Sequence, residues 1–468
     1  MMKNAMRKTI LLILSLVLCV TAMTSCVDPD SDPSRPIKLK ISFYKGGFGD
    51  AWLKAVAAEF EAVHTDVKVV LEGKSDMDGI NRDRLNMSTP PSQLGDIVSV
   101  INPVYFAEYV RNKKLVDLTD LYDEEVENGK TMNDYVDPDF LKFVTVDEKH
   151  YGIPWEGAVT GFVYNVKMFE LYGWEVPETM GDFFNLCTEI KADTQGTVAP
   201  LVYAGAIGGY FINILYAWMS QYEGEEGTDE FFALENPEVY QKEGRLKAYQ
   251  QMGKIMGDKT NILEGSKGFD HLGAQREFIQ GKAAMTVGGT WIETEMKSYL
   301  KDVPGFEMAL FPAPSVTDDK LDKNGNPIRT VSSGNCDLLA IAEASKNKEI
   351  AKEFLKFMNR QEMLNTYTLN TGGNARPFTY EKTDWSDTQL TKFAKSSIEI
   401  WQKADNIFPY STASIYLEGQ VSFFPAEQGQ PAVYMQNASS LNDAAVRAQY
   451  LYTRDYTLAQ NAFIKHNG

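Results

Sequence analysis

In the stretch HYGIPWEGAVTGFVYN (150–165), Trp155 and Glu156 stand beside Gly157 inside an otherwise apolar, strand-like run. A buried strand gains nothing from a carboxylate, and an exposed loop gains little from an indole. Trp291 follows the glycines of VGGT, Lys45 and Phe48 follow the first strand-like segment, and Asn102 follows the third. Asn335 lies in SSGNCD, Arg376 in TGGNARPF, and Tyr410, Trp218 and Trp401 are further aromatic candidates. Rigid aromatic faces beside carboxylate, amide and guanidinium groups suit recognition, the rings covering apolar faces and the polar groups fixing a rim. Each also has a bland reading: a core indole at a helix start for Trp291, hinge packing with a solvated acid for Trp155 and Glu156, and a surface turn for Lys45 and Phe48.

Catalytic and metal patterns do not stand beside these residues. The four histidines, His64, His150, His271 and His466, have no metal-ligand spacing. DMDGINRD (76–83) places its glycine fourth, where a calcium-binding EF-hand loop needs it sixth. No GxSxG elbow or phosphate-cradling P-loop occurs. No cofactor is expected, and the chain is read as a binding protein rather than an enzyme.

The elements that must position these side chains alternate between two periods. IKLKISFY puts Ile37, Leu39, Ile41 and Phe43 on one face of a strand. Trp52, Val56, Phe60 and Val63 then repeat at helical spacing, and DVKVVLEG and GDIVSVIN read as the next strands. Strand, helix, strand, helix, strand predicts βαβ units on a largely parallel sheet. The pattern returns in GFVYN with PETMGDFFNLCTEIK, where Thr179 and Asp182 have capping-box spacing, and in AAMTVGG with TWIETEMKSYL. A further strand and helix lie in CDLLAIAEASKNKEIAKEFLKFM, with Ile350, Phe354 and Met358 on one face. DKNGNP (322–327) carries a tight-turn signal, and the last hundred residues read mainly as helices and loops.

The chain of 468 residues opens with Lys3, Arg7 and Lys8 before TILLILSLVLCVTAM, the basic region and apolar core of a secretory signal. The following MTSC resembles a bacterial lipobox, which implies acylation of Cys26 and a tether over 27–36. Cys187 and Cys336 remain, and are read as two buried thiols rather than a disulfide. The formal charge of −18 grows more negative once the leader is removed, which argues against nucleic acid and against flat contact with anionic lipid.

Taken in order, AEFEAVHTDVKVVLEG, QLGDIVSV, KKLVDLTDLYDE, HYGIPWEGAVTGFVYNVKMFELYGWEVPETMGDF, FIQGKAAMTVGGTW and ASKNKEIAKEFLKFM resemble the extracellular solute-binding proteins of ABC importers, in the carbohydrate-binding branch that includes maltose-binding protein. The match covers most of residues 37–380. QLGDIVSV departs from the family pattern in lacking its proline, and 381–468 match little. The resemblance implies an α/β fold of type II, two lobes each with a mainly parallel sheet flanked by helices, joined by crossover segments. Carried onto this chain, the first lobe takes 37–153 and 308–358, and the second takes 157–305 and 362–468. Pro154 to Ala158 would then cross between lobes, with Gly157 supplying hinge freedom.

The implied ligand is a sugar or oligosaccharide, gripped by Lys45, Phe48, Asn102, Trp155, Glu156, Trp291, Asn335, Arg376 and Tyr410, with Trp291 at the position of a family tryptophan that stacks on sugar. The implied partner is an ABC permease. The protein would act as a monomer, exported and held by its lipid on the outer face of the cytoplasmic membrane. The rival ligand is a polyamine, which an excess of acids in the cleft would favour. The rival roles are surface glycan capture and glycoside hydrolysis.

Overall fold

The computed structural model describes residues 36–87, 93–101, 103–207, 209–233, 236–316, 329–333, 337–381, 390–408 and 431–467. The leader, Cys26 and the 322–327 turn lie outside the described residues. So does Cys336, while Cys187 is a buried free thiol. No helix among the described residues is long and apolar enough to cross a membrane.

The first half opens as β1 (Ile37–Tyr44), α1 (Ala51–Val63), β2 (Val67–Lys74), α2 (Met77–Asn86), β3 (Ile97–Val100) and α3 (Pro103–Arg111). Two small hairpins then lead to the two-residue strand β4 (Ile153–Pro154). In β1, Leu39, Ile41 and Phe43 are buried as the alternation predicts, but Ser42 is buried too, because helices cover both faces of the sheet. In α1 the stripe holds from Trp52 to Phe60; Val63, at the last turn, is exposed.

The second half continues with β5 (Thr160–Asn165), α4 (Val166–Tyr172), α5 (Met180–Asp193), β6 (Ala199–Val202), α6 (Gly209–Ala233), α7 (Glu243–Gly257), α8 (His271–Ile279), β7 (Ala283–Gly289), α9 (Ile292–Leu300), β8 (Met308–Phe311) and β9 (Thr330–Ser332). The chain then adds β10 (Leu338–Ile341), α10 (Lys348–Phe357), α11 (Gln361–Asn370), α12 (Lys392–Lys403), β11 (Asn406–Phe408), α13 (Pro431–Gln436) and α14 (Leu441–Asn467). The Thr179–Asp182 capping box forms as its spacing predicts and starts α5.

The first sheet runs β2-β1-β3-β10-β4, with β10 antiparallel to both its neighbours. The second runs β6-β7-β5-β8, with β5 antiparallel to both of its neighbours. The first sheet has its own hydrophobic core, and two further clusters pack around the second.

These cores move the expected boundaries. Strand β8 pairs with β5, and Val331 of β9 is buried among second-half residues, so 308–311 and Val331 pack with the second half although the expected boundary gave 308–358 to the first. Met363, Leu364, Tyr367 and Phe378 belong to the first core, so 361–380 stay with the first half and the last crossing comes after residue 380 rather than near 360. Hydrophobic pattern marks a buried residue but not which core it enters, which is why the sequence placed these segments wrongly.

Candidate functional site

Strands β1, β3 and β4 end on one edge of the first sheet, and antiparallel β10 begins there. Strand β7 ends beside the start of β5, where Gly289 pairs with Thr160. The residues that follow these ends therefore converge where the two halves join. A hydrogen-bonded chain stitches this junction: Thr290 N donates to Val159 O at 3.0 Å, Thr290 Oγ1 to Asn374 Oδ1 at 2.6 Å, and Asn374 Nδ2 to the Tyr367 hydroxyl at 2.7 Å.

At the centre are two carboxyl groups. Trp155 N donates to Asp337 O at 3.1 Å, so the β4–β10 register sets Glu156 beside Asp337. Glu156 is 8% exposed and Asp337 4%. Each carboxyl acts on the ionisation of the other. Burial, then the charge of Asp337, pushes Glu156 well above the ordinary carboxylate range. Burial pushes Asp337 up to about 7, against the hydrogen bond from Glu156 and with a contribution from Asp78. Two carboxyls in contact, away from water, share a proton near neutrality.

Around this pair stand groups from both halves. Burial raises the Tyr44 phenol, and the charges of Asp337, Glu156 and Glu295 raise it further, which places all four within one electrostatic neighbourhood. Glu295, on α9, accepts from Gln275 Nε2 at 2.6 Å and from the Tyr210 hydroxyl at 3.0 Å. Burial raises the Glu295 carboxyl in spite of these donors. The Tyr210 ring lies edge-on to Trp291 at 6.0 Å and stacks with His271 at 6.0 Å.

The structure brings four of the expected residues together. Phe48 stands edge-on between Trp155, 6.3 Å away, and Trp291, 6.5 Å away, so it touches both halves. Trp291 is half-buried, and Glu156 reaches the carboxyl pair. The approach at the rim is close: a Cβ on Gly47 would lie 2.6 Å from the Trp291 Cβ. Lys45 is exposed and held by Asp50 at 2.8 Å.

Two expectations are corrected by packing. Trp155 is 2% exposed and stacks on Trp52 at 4.9 Å, so its ring is core of the first half rather than an open face. Arg376 is 1% exposed, donating through Nη1 to Met358 O at 2.6 Å and through Nη2 to Pro154 O at 3.3 Å, with its guanidinium over Phe378. It ties the crossover to the end of α10 instead of reaching a ligand. Asn102, Asn335 and Tyr410 lie outside the described residues. Trp218 is core of the second half. Trp401 lies behind Gly157, where a Cβ would come within 2.5 Å of its ring and 3.2 Å of Ala375 O. Contact rather than an unusual φ requires glycine there, since Gly157 is not among the positive-φ residues.

Sequence reading missed Asp337, Tyr44, Tyr210, Gln275 and Glu295. Tyr44 and Asp337 had a signal, being the last residue of β1 and the residue just before β10, on the edge where ligand-facing loops emerge. Glu295 stands four positions after Trp291, one helical turn on. Among the described residues no cluster of three or more His, Cys, Asp or Glu has metal-holding geometry.

Comparison with known proteins fits this architecture. Residues 46–363 match the model of the bacterial extracellular solute-binding proteins. The chain is 24% identical over 354 residues to the "Multiple sugar-binding protein" of Streptococcus mutans, covering 74% of this chain and 77% of that one. It is 27% identical over 316 residues to the diacetylchitobiose binding protein DasA of Streptomyces coelicolor, covering 66% of each. Among solved structures, apo RafE from Streptococcus pneumoniae superposes with a TM-score of 0.67 at 18% identity, over 92% of this chain and 100% of that one. A chitin oligosaccharide binding protein superposes with a TM-score of 0.64 at 17% identity, over 90% of this chain and 99% of that one.

Proposed function

The chain belongs to the bacterial extracellular solute-binding protein family, and from that premise we propose that it captures a sugar or short oligosaccharide between its lobes and presents it to an ABC permease. Its fold is the two-lobed, type II architecture of its structural neighbours. The observation that carries the reading is the meeting of Phe48 and Trp291, one from each half, beside the Glu156–Asp337 pair. A sugar has C–H patches for an aromatic face and hydroxyls for carboxyl partners. The ligand draws the lobes onto itself because only the closed state offers both sets of contacts, and the permease reads that closure. The names of the relatives, which bind multiple sugars and diacetylchitobiose, support the same ligand class.

Native mass spectrometry of freshly purified protein, followed by thermal-shift measurements across a broad glycan panel, tests this reading. An oligosaccharide that raises the melting temperature with the logarithm of its concentration, above its Kd, is the expected result. A panel with no response overturns it. For a sugar so identified, Trp291→Ala is expected to weaken binding by about 10–100-fold, the range for losing one aromatic platform, with the melting temperature of the free protein little changed. Unaltered affinity in titration calorimetry would remove Trp291 from the site.

The protein is exported and held by a lipid on Cys26, a monomer on the outer face of the cytoplasmic membrane. Two acyl chains at that cysteine anchor it stably. Mass spectrometry of detergent-extracted protein is expected to find a mature chain beginning at an acylated Cys26. A retained leader or a free thiol there contradicts the anchor.

A further inference from the structure

Among the described residues, the polar groups that converge at the junction are mostly acceptors. Glu156, Asp337 and Glu295 bring carboxyls from three elements, and Asp78 is close enough to raise Asp337. Gln275, 2% exposed, spends its amide nitrogen on Glu295 and leaves Oε1 buried without a hydrogen-bond partner. The Tyr210 hydroxyl donates its proton to Glu295. The nearby cations are engaged elsewhere: Lys45 with Asp50, and Arg376 with two backbone carbonyls. A sugar hydroxyl both donates and accepts, so it matches a site of mixed character. Set against these acceptors are two donors, the Tyr44 hydroxyl and the unpaired Trp155 Nε1, so acceptors outnumber donors and match a group that only donates. An ammonium carries three donors and no acceptor, and its charge offsets the buried Glu156–Asp337 pair, whose perturbing neighbours include no cation.

Resting on the sugar-binding reading, we propose that the ligand is a carbohydrate bearing a protonated amine, whose ammonium sits against Glu156 and Asp337 with Glu295 and Gln275 beside them. When it binds, the proton shared by the carboxyl pair leaves to solvent and the ammonium takes its place, so charge is conserved at the site. The titratable groups whose fields reach the pair are Tyr44, Asp78 and Tyr367, with Glu295 acting on Tyr44 and His271 on Glu295.

The test is titration calorimetry on the full chain freed of its leader, at pH 7.5 and low salt. The probes are a glucosamine oligosaccharide, its N-acetylated counterpart, a glucose oligosaccharide of equal length, and spermidine. The expected result is that the amine-bearing sugar binds at least tenfold tighter than either neutral sugar. Its affinity should peak near neutrality, falling at lower pH as the carboxyl pair keeps its proton and at higher pH as the amine loses its own, whereas neutral sugars show no such peak. Glu156→Gln should erase the preference while the variant keeps its circular dichroism spectrum. Neutral sugars binding as tightly as the amine-bearing one overturn this proposal and leave the sugar reading standing. Spermidine binding with no sugar bound overturns both. Absence of binding by the glucosamine oligosaccharide, with a neutral sugar bound, also overturns it.

Discussion

Asp337→Asn is expected to raise the melting temperature of the ligand-free protein at pH 8 and to abolish its response to ligand. The carboxyl is 4% exposed, and burial holds it up to about 7. An acid whose folded pKa lies above its unfolded one keeps its proton longer in the fold. Stability from this group is therefore fully present below about pH 4 and is lost as pH rises from there through about 7. At pH 8 the accumulated cost is on the order of 2–4 kcal/mol, the upper figure following from about 1.4 kcal/mol per pKa unit and the lower allowing for the proton shared with Glu156. Asparagine occupies nearly the same volume, can donate to Glu156, and carries no titrating charge. The gain should therefore reach roughly 2–5 °C at pH 8, given the unfolding entropy of a chain this long, and vanish near pH 4. Differential scanning fluorimetry of both proteins at pH 4, 6 and 8 reads this directly. Parallel pH profiles would show that the carboxyl is not held up as described. A site that destabilises its own fold where a ligand must bind is a familiar exchange of stability for function.

The second large effect is destabilising. Arg376→Ala is expected to cost about 3–5 kcal/mol, because it leaves two buried carbonyls without donors and opens a void at the crossover. Burial lowers the guanidinium to about 10, and no carboxylate is among the causes that counter this, so the charge itself is a burden to the fold. Arg376→Met fills the volume without the charge and should therefore lose less than alanine. Arg376→Lys should not restore the native value, because a single ammonium cannot reproduce a fork that reaches Met358 O and Pro154 O together. Urea unfolding of the three variants ranks them, and alanine equal to methionine would mean that packing there is immaterial.

Arg376 also marks where sequence reading stopped working. TGGNARPF offers Arg376 as a ligand contact, yet a Cβ on Gly373 would lie 2.5 Å from the Ala394 backbone, so the segment is pressed inward. Turn chemistry reports backbone angles and is silent about what lies over the turn. Strands, the Thr179 cap and the aromatic meeting at Trp291 were legible, because each depends on neighbours within a few positions or on an ordered set of motifs. The carboxyl pair was not. Glu156 and Asp337 come together only through the register of β4 on β10, two strands far apart in the chain. The boundary between halves was blurred for the same reason, since 361–380 reads as another amphipathic helix and loop whichever core it joins.

Gly47 gives the rim a setting that owes nothing to the guest. Because its hydrogen faces the Trp291 Cβ, any larger residue at 47 would prop that edge ajar. Selection could thus loosen or tighten retention by trimming one doorstop, leaving every atom that greets the cargo untouched.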